Sequence, residues 1–284
     1  MKFTKLQGLG NDFVLLDARA GLPEGLPALA VKMCHRRFGV GADGILLLLD
    51  SVQADFKMRM LNPDGSEAEA CGNGLRCLVR YIADNGLNAA DTLSIETLAG
   101  VRRANLIRRE GRVQQIQVSM GKPIFEAAAI PVKVEPGYGE MLGLMLGNYP
   151  LAVKGRQLNL NFVSMGNPHA VMLLDQPVSA FPLEQIGPLV EKDNLFPRGV
   201  NFEIGRVLDG HSIEMRVWER GAGETLACGS GACALAVASR LAGYTGNRVE
   251  IHLLGGKAEV DWDGEGDVWL SGPAETVFTG IWPG

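Results

Sequence analysis

This chain has little of what marks a membrane, secreted or nucleic-acid-binding protein. Its apolar runs, such as Ile45–Leu49, fall far short of the roughly 20 residues of a membrane span, so no membrane partner is expected. The opening residues, MKFTKLQGLGND, lack the apolar core of a signal peptide, and a cytoplasmic location is the expectation. Positive charge is in deficit: 27 Lys and Arg against 32 Asp and Glu leave a net charge of −5. That balance aids solubility and argues against a nucleic-acid surface. There is no C-x-x-C, and five cysteines cannot all pair within one chain. The spacings Cys71 to Cys77 and Cys228 to Cys233 do not fit zinc ligation, so no metal is expected. Free thiols are the default in a reducing compartment.

What the chain does have is the ordinary make-up of a globular protein. Hydrophobic residues are 46% and charged residues 21% of 284, enough for one large or two average domains. Sliding the chain along itself exposes an internal repeat. Met58-Arg59-Met60-Leu61-Asn62 leads to Cys71-Gly72-Asn73-Gly74, and Met215-Arg216-Val217-Trp218-Glu219 leads to Cys228-Gly229-Ser230-Gly231, at a constant offset of 157. At nearly the same offset, Gly10-Asn11-Asp12-Phe13 is echoed by Gly166-Asn167-Pro168-His169. Two colinear matches predict two similarly folded halves.

Period-two or short apolar runs predict strands at 13–17, 45–50, 56–62, 113–119, 158–163, 170–174, 212–218, 249–253, 258–263 and 268–271. Helices are predicted at 26–36, 74–85, 183–192 and 231–244. The last is small and apolar on nearly every face, the mark of a buried helix. The expected fold class is α+β: two pseudo-symmetric domains, each a curled, mainly antiparallel sheet around a central helix. The boundaries expected are 1–121 and 122–273, with the tail 274–284 returning to the first domain.

In both halves the order is strand, Gly-rich loop, Cys-Gly-x-Gly, helix. The cysteine therefore sits at a helix N-terminus, where orphan N–H groups and the helix dipole favour negative charge. This predicts a thiol pKa below the free value of about 8.5 and a cradle for a carboxylate. Two thiols flanking one cleft suit stereoinversion α to a carboxylate, with one thiolate and one thiol at any moment. Cys34, Cys77 and Cys233 lie within helical runs and are read as packing residues. Gly39-Val40-Gly41-Ala42-Asp43-Gly44 matches G-x-G-x-x-G but follows a helix and precedes a strand, the reverse of a dinucleotide fingerprint. His35, His211 and His252 carry no signal, and the stretch 135–157 matches no usable pattern.

Four blocks together closely resemble the diaminopimelate epimerase family: residues 8–13, residues 62–67 leading to 70–74, Ser164-Met165-Gly166-Asn167-Pro168-His169, and residues 219–225 leading to 227–231. The resemblance implies a cofactor-independent isomerase and a small amino-acid substrate. It would interconvert LL- and meso-diaminopimelate on the way to lysine and peptidoglycan, as a homodimer. Cys71 and Cys228 would be the catalytic pair. Gly72, Asn73, Gly229 and Ser230 would present N–H groups to the reacting carboxylate. Asn11, Asn62, Asn167, Asn201, Glu219 and Arg220 would hold the substrate, with Arg suited to a carboxylate. His169 and Glu219 would tune the thiols. The lesser alternative is that Asn11 and Asn62 are turn residues and Glu219-Arg220 a solvated strand end. Some relatives carry Gln where this chain has Gly44. A proline or hydroxyproline racemase is the nearest rival; those relatives typically have His and Thr at the places of Asn73 and Ser230. A phenazine-type isomerase would not need both cysteines, and a non-catalytic amino-acid-binding protein is the rival of another class.

Overall fold

The computed structural model of the chain describes residues 1–68 and 71–283. Glu69, Ala70 and Gly284 lie outside the described residues, and with them the alanine of the first cysteine motif. The chain divides into two compact units, Met1–Ser119 with Ser271–Gly284, and Met120–Leu270.

The first unit begins with β1 (Lys2–Gly8), β2 (Asn11–Asp17), α1 (Leu26–Cys34), β3 (Gly44–Leu49), β4 (Phe56–Leu61) and β5 (Glu67–Ala68). It continues through α2 (Gly72–Asp84), β6 (Thr92–Thr97), β7 (Gly100–Arg109) and β8 (Arg112–Ser119). Strands β2 and β3 pair in parallel, as do β4 and β6, while β1–β2, β3–β4, β4–β5, β6–β7 and β7–β8 are antiparallel. Helix α2 packs against β1, β2, β3, β4 and β8, so the sheet curls around it. Strand β3, GILLLL, is apolar throughout because it is covered on both faces. Ile45 and Leu47 join Ala30 and Met33 of α1 in one core cluster, while Leu46 lies against the start of α2.

The second unit opens with β9 (Glu140–Leu142), β10 (Met145–Gly147) and β11 (Tyr149–Val153). Then come β12 (Arg156–Ser164), β13 (Pro168–Leu173), α3 (Leu183–Glu191), β14 (Asn201–Asp209), β15 (Ser212–Glu219) and β16 (Gly223–Glu224). It closes with α4 (Gly229–Leu241), β17 (Arg248–Leu253), β18 (Gly256–Asp261) and β19 (Trp269–Gly272), and β20 (Glu275–Ile281) follows. Pairing repeats that of the first unit strand for strand: β12–β13 antiparallel, β13–β14 parallel, β14–β15 and β15–β16 antiparallel, β15–β17 parallel, β17–β18 antiparallel. Even the register carries over. Phe13 pairs with Gly44 as His169 pairs with Asn201, and Phe56 pairs with Ile95 as Ile213 pairs with Ile251.

Helix α4 is buried from Gly231 to Ser239 and packs against β12, β13, β14, β17 and β18. Phe202 and Ile204 of β14 join Leu183, Ile186 and Val190 of α3 in the core. Their alternates, Glu203 and Gly205, face α4, where Gly205 makes room for Leu235. The tail comes back to the first unit, where β20 pairs with β1. The α+β class with mainly antiparallel sheets curled around a central helix is the architecture seen.

Candidate active site

Each reactive-cysteine candidate is the N-cap of a central helix. Cys71 and Cys228 have extended backbone (φ −141° and −117°), and their sulfurs accept the N–H of Gly74 and Gly231, each at 3.4 Å. Their carbonyls take the first helical bonds, from Leu75 N at 2.8 Å and Ala232 N at 3.0 Å. This is N-cap geometry with sulfur in the place of the usual oxygen. Both helices begin with the Gly-x-Gly that the sequence predicts, two residues earlier than expected.

Around Cys71, Asn11 at the start of β2 is fixed from one side. Its Nδ2 donates to Asp43 Oδ2 at 2.7 Å, leaving Oδ1 3.8 Å from Cys71 Sγ and 3.1 Å from Asn73 Nδ2. Asn73 Oδ1 accepts from the buried Arg76 at 2.8 Å. Asp43 belongs to the Gly-rich segment rejected as a nucleotide motif; it and Asp12 are gripped by Arg36, and Lys5 bridges Asp12 and the Gly41 carbonyl. Burial works to raise the Asp12 pKa, but hydrogen bonds from Arg36 and Lys5 win and hold its carboxyl below the usual range.

Around Cys228 the surroundings are ionisable rather than apolar. Asn167 Nδ2 donates to Ser230 Oγ at 3.3 Å, and Ser230 Oγ is 3.6 Å from Cys228 Sγ. Asn167 Oδ1 lies 2.8 Å from His169 Nε2, and His169 Nδ1 lies 2.7 Å from Glu203 Oε1. His169 and Glu203 are both fully buried. Glu203 escaped the sequence reading; the only signal was a charge at the position where the repeat offset places Leu46.

The expectation of a lowered thiol pKa fails for Cys228. Burial pushes this thiol well above its ordinary value, and negative charge on the Glu219 and Glu203 carboxyls pushes it further. The Ser230 hydroxyl and Gly231 N–H act the other way but do not prevail. A helix N-terminus lowers a thiol pKa only where solvent or cations share the charge, and Cys228 is only 5% exposed. The three remaining cysteines are buried, and burial raises Cys34 to about 11 and Cys77 to about 12. They pack, as the sequence predicts. Among the described residues no group of His, Cys, Asp or Glu is arranged to hold a metal.

The other site candidates fall into two groups. Asn11 and Asn73 gather at Cys71; Asn167, His169 and Ser230 gather at Cys228. Asn62 instead closes a turn, its Nδ2 bonded to Ser66 Oγ at 2.9 Å. Asn201 is a buried staple, donating to the Pro168 carbonyl and accepting the Arg220 N–H at 2.9 Å. Glu219 accepts the Thr225 hydroxyl at 2.5 Å, and the Arg220 guanidinium reaches the Arg198 carbonyl. Gly44, the departure from some relatives, is tightly enclosed: a Cβ there would sit 2.8 Å from the Leu61 carbonyl oxygen.

The family model for diaminopimelate epimerase matches residues 3–126 and 161–277. The chain belongs to the diaminopimelate epimerase family. It is 50% identical over 285 residues to the diaminopimelate epimerase of Pelotomaculum thermopropionicum, covering 100% of this chain and 99% of that one. It is 44% identical to the corresponding enzyme of Methanococcus maripaludis, covering 99% of each. Among solved structures, a hydroxyproline epimerase from Agrobacterium vitis superposes with a TM-score of 0.69 at 15% identity, covering 99% of this chain and 91% of that one. A Bacillus anthracis protein of the phenazine biosynthesis PhzF family gives 0.66 at 17%, covering 98% and 97%. These two likenesses establish the fold. Family membership makes the chain an isomerase and sets aside a non-catalytic binding protein. The region between the two matched segments holds the separate β9–β10 hairpin and β11, which pairs with β12 as β20 pairs with β1.

Proposed function

We propose that this chain interconverts LL- and meso-diaminopimelate by two-base proton transfer, with Cys71 and Cys228 as the two acid–base groups and no bound cofactor. The observation that carries the reading is the recurrence, in a diaminopimelate epimerase family member, of one cysteine N-cap geometry at an offset of 157.

One sulfur, as thiolate, takes the α-hydrogen as a proton and becomes a thiol. The electron pair left on the α-carbon spreads into the carboxylate. The other sulfur, as thiol, gives its proton to the opposite face, inverting the centre and leaving the pair with reversed protonation. The mechanism requires both sulfurs to reach one α-carbon. A carboxylate gaining charge is best met by preorganised N–H groups. Gly72, Asn73, Gly229 and Ser230, in the first turns of α2 and α4, take that role here. Asn11, Asn167, Glu219 and Arg220 orient the rest of the substrate, Asn62 and Asn201 support them through the turn and the Pro168–Arg220 staple, and His169 and Glu219 tune the thiols. Asn73 and Ser230, in place of His and Thr, favour this substrate over proline.

Working thiols need a reducing compartment, which supports a cytoplasmic location; no helix among the described residues is long and apolar enough to cross a membrane. A homodimer is supported by β20, which pairs only with β1 among the described residues and exposes Val277, Phe278 and Ile281. An apolar edge strand invites a second copy.

Cys71→Ala and Cys228→Ala test the mechanism. Each is expected to lower kcat by at least about 10³-fold with an unchanged circular-dichroism spectrum. Near-normal turnover in either folded variant would overturn the two-base reading.

A further inference from the structure

The pair of buried groups behind Cys228 has a counterpart in the first unit that is wholly apolar. By strand register, His169 stands where Phe13 stands and Glu203 where Leu46 stands. Phe13 and Leu46 pack on Gly74 of α2, and Glu203 packs on Gly231 of α4: a Cβ on Gly231 would lie 2.7 Å from Glu203 Oε1. One repeat backs its cysteine with hydrocarbon, the other with a carboxyl and an imidazole. Packing alone does not call for that difference, since Phe and Leu fill the same space.

We propose that Glu203 is a positioning residue: as an uncharged carboxylic acid donating to His169, it fixes the donor direction of a hydrogen-bond chain that ends on the Cys228 sulfur. This rests on the reading of Cys228 as a reacting thiol.

Asn167 turns its Nδ2 to Ser230, so an oxygen faces His169 Nε2 at 2.8 Å, and that nitrogen must carry the hydrogen. Because Glu203 Oε2 is buried without a partner, a charged carboxylate–imidazolium pair is poorly accommodated; in the uncharged pair, an imidazole with hydrogen on Nε2 has a bare Nδ1, which needs a donor. Glu203 Oε1, 2.7 Å away, supplies it only when protonated. Burial indeed raises the Glu203 pKa, with His169 opposing.

The consequence appears at the far end. Because Ser230 Oγ accepts from Asn167, its own hydrogen is released for the Cys228 sulfur at 3.6 Å. The ionisable groups acting on Cys228 are Glu219 on β15 and Glu203 on β14, with His169 on β13 bonded to Glu203 and Asn167, while the Arg220 guanidinium is held at the Arg198 carbonyl. Burial and Glu219 oppose a thiolate there; a neutral Glu203 and a donating Ser230 make it attainable when turnover demands it. If Glu203 were an anion accepting from Nδ1–H of a neutral imidazole, the whole chain would reverse. Asn167 would then turn its oxygen to Ser230, and the hydroxyl would be lost to the sulfur.

Two variants separate donation from charge. Glu203→Gln keeps a donor, an amide N–H, and removes ionisation; Glu203→Leu installs the residue of the other repeat and removes the donor. Two readouts do not depend on turnover: the His169 ring tautomer by ¹⁵N NMR, and the pH midpoint of Cys228 alkylation by iodoacetamide, followed by mass spectrometry. Glu203→Gln is expected to keep hydrogen on Nε2, the wild-type midpoint and kcat within about threefold. Glu203→Leu is expected to populate the Nδ1–H tautomer, raise the midpoint by about one pH unit and lower kcat about tenfold, the worth of one hydrogen bond. A Glu203→Gln protein whose tautomer and midpoint have moved overturns the proposal, whether or not Glu203→Leu folds. So does a folded Glu203→Leu protein that matches wild type in both. If wild type fails to epimerise, the two-base reading falls while tautomer and midpoint still decide the role of Glu203.

Discussion

Glu203 holds His169 at 2.7 Å in the interior of the second repeat, at the register positions that Leu46 and Phe13 fill in the first. The two cysteine N-caps are therefore alike in backbone and unlike in surroundings. Cys228 is nearly closed off and its thiol is raised, whereas Cys71 is half-buried beside Asn11. Thiolate, not thiol, reacts with alkylating agents. Iodoacetamide near neutral pH is expected to label the Cys71 peptide first. Cys228 should follow as pH rises, with Cys34, Cys77 and Cys233 unlabelled in folded protein. Equal labelling of Cys71 and Cys228 by peptide mass spectrometry would contradict this asymmetry.

The Lys5–Asp12–Arg36–Asp43 cluster sets Asn11 in place and stabilises the first unit. Lys5 is 6% exposed, so removing its partner leaves a buried charge uncompensated. Asp12→Asn is expected to lower stability by about 3 kcal/mol in urea unfolding at neutral pH. Since the Asp12 pKa is depressed on folding, the stabilisation is complete above the ordinary carboxylate pKa of about 3.9. It is lost as pH falls through the lower folded value, so the gap between wild type and variant should close in strong acid. A gap that widens on acidification would reverse the sign of the argument.

Gly44→Gln would give this chain the residue some relatives carry. The added Cβ meets the Leu61 carbonyl oxygen at 2.8 Å and the Met60 methyl at 3.2 Å. A loss of about 1–3 kcal/mol is expected, read as a lower thermal midpoint. An unchanged midpoint would mean that β4 yields more readily than its register with β3 implies.

Phe278→Glu places a charge on the exposed face of β20. If two copies meet there, light scattering should show wild type as a dimer and the variant shifted toward monomer. A variant with wild-type mass would move the interface elsewhere.

Much of the fold was legible because the repeat and the long apolar runs are loud signals. All four helices lie within a few residues of their predicted spans. Strand β3 was readable as a continuous buried run. Its counterpart β14 was not, although it is just as buried, because Asn201, Glu203 and Gly205 break the pattern for reasons outside the strand itself. Asn201 staples Pro168 to Arg220, Glu203 serves His169, and Gly205 admits Leu235. Strand β1 was hidden in the same way, by a Lys5 that is buried against Asp12. In the site, Cys71 and Cys228 stood out by position, and Asn11, Asn73, Asn167, His169 and Ser230 gather around them. The lowered thiol pKa was misjudged for Cys228 because helix position is local and visible in sequence, whereas burial and cross-strand carboxyls are not.

The most direct test follows α-hydrogen exchange in D₂O by NMR, with reduced protein and LL-diaminopimelate or L-proline in parallel tubes. The account predicts deuterium at the α-carbon of diaminopimelate as the meso isomer forms, with proline untouched. Exchange into proline alone, or into neither substrate with folded and reduced protein, would contradict it.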